Sequence, residues 1–465
     1  MASLLESDNA ICFGESGVVV EARCLGESYK SRRQEKICDV AGRVIGASAI
    51  MPSVFILHKS EQMREASSLS LSQRYERLKS AGRIYTEATL AGLGPDDYVA
   101  LVASVTGLPH SIISASLANI SHGLRHMREI LQAATPAGAV WESCAPQTHA
   151  GCSLFSRRGD VVAVIAAGNG PGVHGLWPQA VAMGYRTLVK PSLREPFTAQ
   201  RLVYALEQAG LAEYVALIPT GHKGAETLIL QSDLAIVYGG PDVAARYGNN
   251  PRVLVQGPGR SKIVVGNDVA HEDAVALAAQ SVLSLGGAAC VSASTVLVEG
   301  DPDAFASSLR RELEGRTQSQ SLPLGRQQEA ETYERLLQFD DVPWAYDRAA
   351  AQGYPLTPHV AVVGRASDPK VQRELPFPCV TVAPFDLRKD CGVLSGSLVV
   401  TVLSRQQWLI SKVLADFSIA NVYIGNIPTT WMDYRVPHDG YLADFLMCNR
   451  GIRVESQWLN AAVPA

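Results

Sequence analysis

The sequence predicts an α/β fold built on parallel sheets, and three observations carry that prediction. Short apolar runs near 161–167, 187–190, 215–218, 234–238 and 252–255 alternate with segments of helical pattern, as consecutive βαβ units do. Further runs near 262–265 and 294–298 mark a second α/β block, and runs near 360–363, 379–382 and 397–402 fit one more sheet. The 465 residues, 47% hydrophobic and 18% charged, supply several times the roughly 150 residues of one domain in an ordinary globular composition.

Taken in order, the first 60 residues mix β-branched runs such as Gly17 to Val20 with polar stretches and yield no organised pattern. Ser70 followed by Gln73 reads as a capping box opening a helix through about Ala91, with Tyr75, Leu78, Ala81 and Tyr85 on one face. From Pro109 one long helix is expected, because Ile113, Leu117, Ile120, Leu124, Met127 and Leu131 form a single apolar stripe. Within the first sheet region, Leu202, Ala205, Leu206 and Ala209 mark a buried helix face, and Gly210 its stop. A helix from about His271 to Leu285 precedes the run at 294–298. A nucleotide site is expected at the carboxyl ends of the parallel strands, where such sheets bind ligands.

Charge and cysteine usage narrow the function class. The 41 Lys and Arg against 45 Asp and Glu give a net charge of −4 without blocks of one sign, so neither nucleic acid nor anionic lipid is an expected partner. No window reaches the roughly 18 apolar residues of a spanning helix. The nine cysteines, at 12, 24, 38, 144, 152, 290, 379, 391 and 448, show no CxxC pair and no metal-ligand spacing. They point to a reducing cytoplasm in which thiols stay free and one of them can be chemical. Cys38 and Cys379 lie in apolar runs and read as core.

Glycine-rich turns supply the candidate site. Ala167-Gly168-Asn169-Gly170-Pro171-Gly172 follows the first parallel strand, so the backbone can approach a ligand and the Asn169 amide can face a developing oxyanion. A tight strand-to-helix turn explains the same residues. Lys190-Pro191-Ser192 ends the next strand, where an ammonium can hold ribose hydroxyls or simply face solvent. Gly239-Gly240 and Gln256-Gly257-Pro258-Gly259-Arg260 close two later strands. Gly286-Gly287-Ala288-Ala289-Cys290 clears space around a thiol, as a nucleophile requires. His122 and His126 read as a solvated helix face rather than metal ligands, and His174, close to the Asn169 loop, is a candidate for proton transfer.

The order of these turns resembles the aldehyde dehydrogenase superfamily over roughly residues 65 to 430, most specifically from 160 to 300. The Gly-Pro-Gly turn looks like the acylating branch, and the passage from Asn169 to Ser192 like the bacterial fatty-acyl reductases. The resemblance implies a Rossmann-type coenzyme domain (1–140 and 160–258), an α/β catalytic domain (259–435) and a small oligomerisation arm (141–159 and 436–465). It implies that Cys290 forms the thioester, that Asn169 and the Cys290 backbone N–H make the oxyanion hole, and that Lys190, Ser192, Gly239, Gly240 and Gly257 border the coenzyme. Glu374, in Glu374-Leu375-Pro376-Phe377-Pro378, matches the glutamate that holds the nicotinamide ribose.

Two departures shape the expectation. Hydrolytic members carry a glutamate as base where this chain has Gln256, and an amide cannot take that proton. Leu193 and Arg194 stand where many NAD-preferring members place a glutamate, which favours NADPH over NADH if Arg194 meets a 2′-phosphate. The expected activity is NAD(P)H-dependent reduction of an acyl thioester of coenzyme A or a carrier protein to an aldehyde, by a homodimer or homotetramer fed by an acyl-activating partner. The alternatives are coenzyme-A-acylating aldehyde oxidation, reduction of an acyl phosphate or adenylate, and a non-catalytic scaffold.

Overall fold

The computed structural model describes residues 17–350 and 352–458. Two sheets form the body. In the first, five parallel strands stand in the spatial order 215–217, 186–190, 161–165, 234–238, 253–256. Numbered along the chain this order is 3-2-1-4-5, so the winding reverses between Val161–Ile165 and Leu234–Tyr238. That reversal opens a crevice at the carboxyl ends of the strands. In the second sheet six parallel strands run 359–362, 379–384, 293–298, 261–265, 399–403, 421–424.

These strands read as continuous apolar runs because both faces of each sheet are covered. Along Val161–Ile165, Val162 and Val164 pack under the helices 71–87, 95–106, 110–125 and 197–206, while Val161 and Ala163 pack under 53–64 and 222–231. In the second sheet Ile263 and Val296 face the helices 271–283 and 302–317, and Val264 and Leu297 face 407–414. Each buried Val, Ile or Leu among them contributes about 1.5–3 kcal/mol by leaving water.

The helix opened by Ser70 runs Leu71–Glu87 with the expected capping box complete. The long stripe from Pro109 is buried as expected, yet the chain forms two helices, His110–Arg125 and Met127–Ala134, broken at His126 with φ −112°. The first 60 residues acquire order from distant partners. Ala22–Cys24 adds antiparallel to Val215–Leu217 at the edge of the first sheet, and 18–20, 44–49 and 34–38 make a separate three-stranded sheet. A third small sheet joins 139–140, 152–157 and 447–452. No single helix among the described residues is long and apolar enough to cross a membrane.

One buried ionic cluster fastens the segment leading to Glu374. The Asp340 carboxylate, wholly buried, accepts from Arg373 Nη2 and from the ring N–H of His359, both at 2.7 Å, and lies 2.7 Å from Lys370 Nζ. Burial alone would raise this carboxyl, but the hydrogen bonds from Arg373, Lys370 and His359 outweigh it and hold it well below the usual range. The stability it contributes is therefore present above its unfolded value of about 4 and is lost as the pH falls through the lower folded value. Asp340→Ala is expected to cost about 3–5 kcal/mol, since it strands buried cations. In urea titrations the deficit relative to wild type should shrink as the pH is lowered below about 4. A deficit independent of pH would contradict the assignment.

Candidate active site

Cys290 owes its position to a chain of unusual backbone angles. After the helix His271–Leu283 the chain turns through Leu285 (φ 57°), Gly286 (φ 68°) and Gly287 (φ 66°) before entering the strand Ala293–Val298. Gly287 is obligatory, because a Cβ there would stand 2.3 Å from the Pro378 nitrogen. Leu285 adopts the left-handed region without a glycine's freedom, a strain of order 1–3 kcal/mol that clusters at functional sites. The result is a half-buried thiol at the head of a strand.

The turn Gly257–Arg260, where the chain passes from the first sheet to the second, packs directly on this loop. A Cβ on Gly259 would lie 1.8 Å from the Cys290 carbonyl oxygen, which also accepts from Ser261 Oγ at 2.8 Å. Arg260 is left-handed (φ 47°), and its N–H donates to Glu374 Oε2 at 2.5 Å. Glu374 is thus brought to the turn beside Cys290. Burial raises its carboxyl, with the Arg260 N–H acting against that. Lys262, fully buried below the turn, donates to Arg260 O (2.8 Å), Ser397 Oγ (3.0 Å) and Gln372 Oε1 (3.3 Å). Burial lowers it to about 8.

Across the crevice stand the loops of the first sheet. Asn169 docks on the cysteine loop, its Nδ2 donating to Ala288 O at 3.0 Å. One of its two amide hydrogens is thereby used, and the other is available to a ligand. Gly168 packs on the neighbouring loop, where a Cβ would meet Ser192 Oγ at 2.3 Å. The Ser192 hydroxyl itself accepts from Arg194 N–H at 3.2 Å. Lys190 ends its strand largely buried, and burial lowers its ammonium, with Glu35 opposing. It makes no side-chain hydrogen bond among the described residues, so hydroxyls of a ribose would complete its donors. Gly239 accommodates Val243, whose Cγ2 would stand 2.4 Å from an added Cβ, whereas Gly240 faces open space and a Cβ on Gly257 would come only within 4.0 Å of Val255 Cγ1. The lysine and the open glycine turns beside the strand-order reversal fit a dinucleotide.

Arg194 departs from its expected role. Its guanidinium is paired with Glu329, Nη1 to Oε1 at 2.6 Å and Nη2 to Oε2 at 3.4 Å, bridging to the helix Gln327–Leu337. A 2′-phosphate would have to share or displace that carboxylate, although the buried Nε keeps no hydrogen-bond partner among the described residues. His174 is also corrected. It is fully buried, accepts from Trp177 Nε1 at 3.0 Å, and burial lowers it to about 3, so it is a neutral core residue rather than a proton donor. His122 is exposed as expected, and no cluster among the described residues has the makings of a metal site. Cys24 and Cys379 are buried thiols pushed up to about 11 and about 12, whereas Cys38, expected in the core, is half-buried. Cys12 lies outside the described residues.

The functional neighbour missed in the sequence is His438. Its Nε2 lies 3.8 Å from Cys290 Sγ, and its Nδ1 lies 3.5 Å from Asp439 Oδ1. Gln256 Nε2 donates to that same Oδ1 at 3.0 Å, so the residue standing in place of a base serves as a clamp. Asn421 Nδ2 holds the His438 carbonyl and also donates to Leu398 O at 3.1 Å. Burial opposes the imidazolium, but Asp439 and Cys290 outweigh it and raise His438 to about 10. A cavity of about 280 Å³ opens beside the group, lined by Tyr238, Gln256, Tyr434, His438, Asp439 and Asp444 together with apolar side chains. Pro437-His438-Asp439-Gly440 is the only trace in the sequence, and it lies in a stretch expected to form the oligomerisation arm.

Comparison with known proteins follows the same geometry. The aldehyde dehydrogenase family profile matches residues 56–443. Malonate-semialdehyde dehydrogenase of Listeria monocytogenes is 29% identical over 161 residues, 32% of this chain and 33% of that protein. Malonate-semialdehyde dehydrogenase 1 of Shouchella clausii is 30% identical over 165 residues, 33% of this chain and 34% of that protein. The chain thus spans about a third of the length of the curated relatives it matches. Among solved structures, Thermus thermophilus 1-pyrroline-5-carboxylate dehydrogenase superposes with a TM-score of 0.77 at 16% identity, covering 94% of this chain and 93% of that one. An indole-3-acetaldehyde dehydrogenase complexed with NAD+ gives 0.78 at 18% identity, covering 95% and 98%. These likenesses confirm the fold.

The contact between the turn and the thiol loop has a direct test. Gly259→Ala must displace the Cys290 carbonyl and is expected to cost about 1–3 kcal/mol in urea unfolding, as overpacking does. Gly257→Ala, whose Cβ would meet only Val255 Cγ1 at 4.0 Å, should cost far less. Equal losses would show that the contact is not the constraint described.

Proposed function

The chain belongs to the aldehyde dehydrogenase family, and on that premise we propose that it interconverts an acyl thioester and the corresponding aldehyde through a thioacyl bond to Cys290. The observation that carries the reading is Gln256. Its amide cannot activate water and is committed to Asp439 at 3.0 Å. An acyl group on Cys290 therefore waits for a thiol or a hydride.

The residues divide the work as follows. The Cys290 sulfur attacks the acyl carbon of a coenzyme A or carrier-protein thioester and expels the donor thiol. The second amide hydrogen of Asn169 and the backbone N–H of Cys290 are the donors offered to the oxyanion. A nicotinamide coenzyme supplies the hydride in reduction and accepts it in oxidation. Lys190, the turns at Gly168 and Gly239-Gly240, and Glu374 would hold it. With Arg194 paired to Glu329, the coenzyme needs no 2′-phosphate, and NADH and NADPH both fit the proposal. The names of the relatives from Listeria monocytogenes and Shouchella clausii favour the oxidative direction as a second reading; it uses the same residues in reverse.

The cavity argues for a neutral acyl group. Asp439 and Asp444 line it, and no lysine or arginine does so among the described residues. The His438 imidazolium that also lines it is already paired with Asp439, so a carboxylate at the far end of the substrate would meet like charge without a free partner.

Cys290→Ala should lower coenzyme-coupled turnover of an acyl thioester by about 1000-fold or more, and the wild type should release no free acid from aldehydes without an added thiol. Retained turnover, or acid formation at an ordinary rate, would contradict the reading. In kcat/KM, propionyl-coenzyme A should exceed malonyl-coenzyme A by about 10-fold or more. A preference for the malonyl ester would contradict this, because a cation would then have to pair with the far carboxylate.

A further inference from the structure

We propose that His438 is a catalytic residue that carries the proton of thiol exchange at Cys290, with Asp439 as its positioning residue; the inference rests on the thioacyl reading above. In the reductive direction the Cys290 thiolate forms a C–S bond to the acyl carbon while the bond to the donor sulfur breaks. The donor leaves with the electron pair as a thiolate. The His438 imidazolium gives its Nε2 proton to that sulfur and becomes neutral. Once the acyl carbon has taken the hydride that a nicotinamide coenzyme would supply, the aldehyde departs and Cys290 returns as thiolate. A proton from solvent restores His438, which accounts for the one proton consumed with each hydride. In the oxidative direction neutral His438 takes the proton of the incoming thiol.

Three observations support this role over a structural one. The ring lies between the two groups, with Nε2 3.8 Å from Cys290 Sγ and Nδ1, which has no hydrogen-bond partner among the described residues, at ion-pair distance, 3.5 Å, from Asp439 Oδ1, which Gln256 holds at 3.0 Å. Its backbone is held by Asn421. Such a line, acid to imidazole to sulfur, orients one ring nitrogen toward the reacting atom.

No other group nearby is suited to the transfer. Tyr238 and Tyr434, which face the same cavity, are phenols raised by burial and stay neutral. Asp444 accepts from the Tyr441 N–H at 3.2 Å as a helix cap. Lys262 is sealed by its three acceptors, and Glu374 accepts from the Arg260 N–H.

Timing follows from charge. Asp439 and the Cys290 sulfur together hold the proton on His438. Acylation of Cys290 removes one of these two partners at the moment the donor thiolate appears, so the proton becomes easiest to release when it is needed.

The test uses the full chain and iodoacetamide as the probe of Cys290, followed by mass spectrometry from about pH 6 to pH 9, around the ordinary thiol range. In the wild type the alkylation rate should change little across the lower half of that range. In His438→Phe it should fall by about 10-fold or more near pH 6 and then rise with pH as a free thiol does. Asp439→Asn should give an intermediate profile with an unchanged circular dichroism spectrum. His438→Gln, a polar replacement, should repeat the His438→Phe profile if the latter folds poorly. Superimposable profiles in wild type and variants would overturn the inference and leave the thioacyl reading intact. Release of free acid from acetyl-coenzyme A that depends on His438 would also overturn it, because the histidine would then be activating water. Failure of acetyl- and propionyl-coenzyme A to acylate wild-type Cys290 would instead defeat the reading on which the proposal rests.

Discussion

The contact on which the site depends is made by backbone. At Gly259 the chain leaves one parallel sheet for the other, and the Cys290 carbonyl lies so near that a Cβ would stand 1.8 Å away. Close packing of this kind has discrete arrangements rather than a continuum, so the thiol's place is set by the crossing itself. The turn is secured in turn by Glu374 on the Arg260 N–H and by Lys262 on the Arg260 carbonyl. Behind Glu374, Arg373 is anchored in the buried Asp340 cluster. Stability elements far from the sulfur thereby hold the reacting geometry.

A second consequence concerns the exchange of one carboxylate for an amide. Gln256 is unable to serve as a base, yet it is not idle, because it fixes Asp439 behind His438. The negative charge near the thiol stands on the far side of an imidazole instead of facing the acyl carbon. On the proposed thioacyl reading, that rearrangement would move the titratable group from a carboxylate to a histidine and the proton chemistry of the site from water activation toward thiol exchange.

Much of this was legible in the sequence where a physical requirement is local. Strands buried on both faces must be continuous apolar runs, so 161–165, 186–190, 234–238 and 261–265 stood out. Left-handed and crowded positions demand glycine, so Gly287 marked the thiol loop and Gly259 the turn packed on it. What could not be read depends on distant residues. The strand Ala22–Cys24 takes its order from Ala216 and Leu217. Arg194 looked free because its partner Glu329 is 135 residues away. His438 stands 148 residues from Cys290 on an irregular segment, where no periodicity marks a functional side chain. The break at His126 was hidden because the apolar stripe continues across it.

The central claim is that Cys290 holds the acyl group. Intact-protein mass spectrometry after incubation with a panel of neutral acyl thioesters, without coenzyme, tests it most directly. The account predicts one acyl adduct, mapped to Cys290, which persists in buffer and disappears on adding a thiol or a reduced nicotinamide coenzyme. An adduct on another cysteine, or none with any acyl group while coenzyme-coupled turnover proceeds, would contradict it.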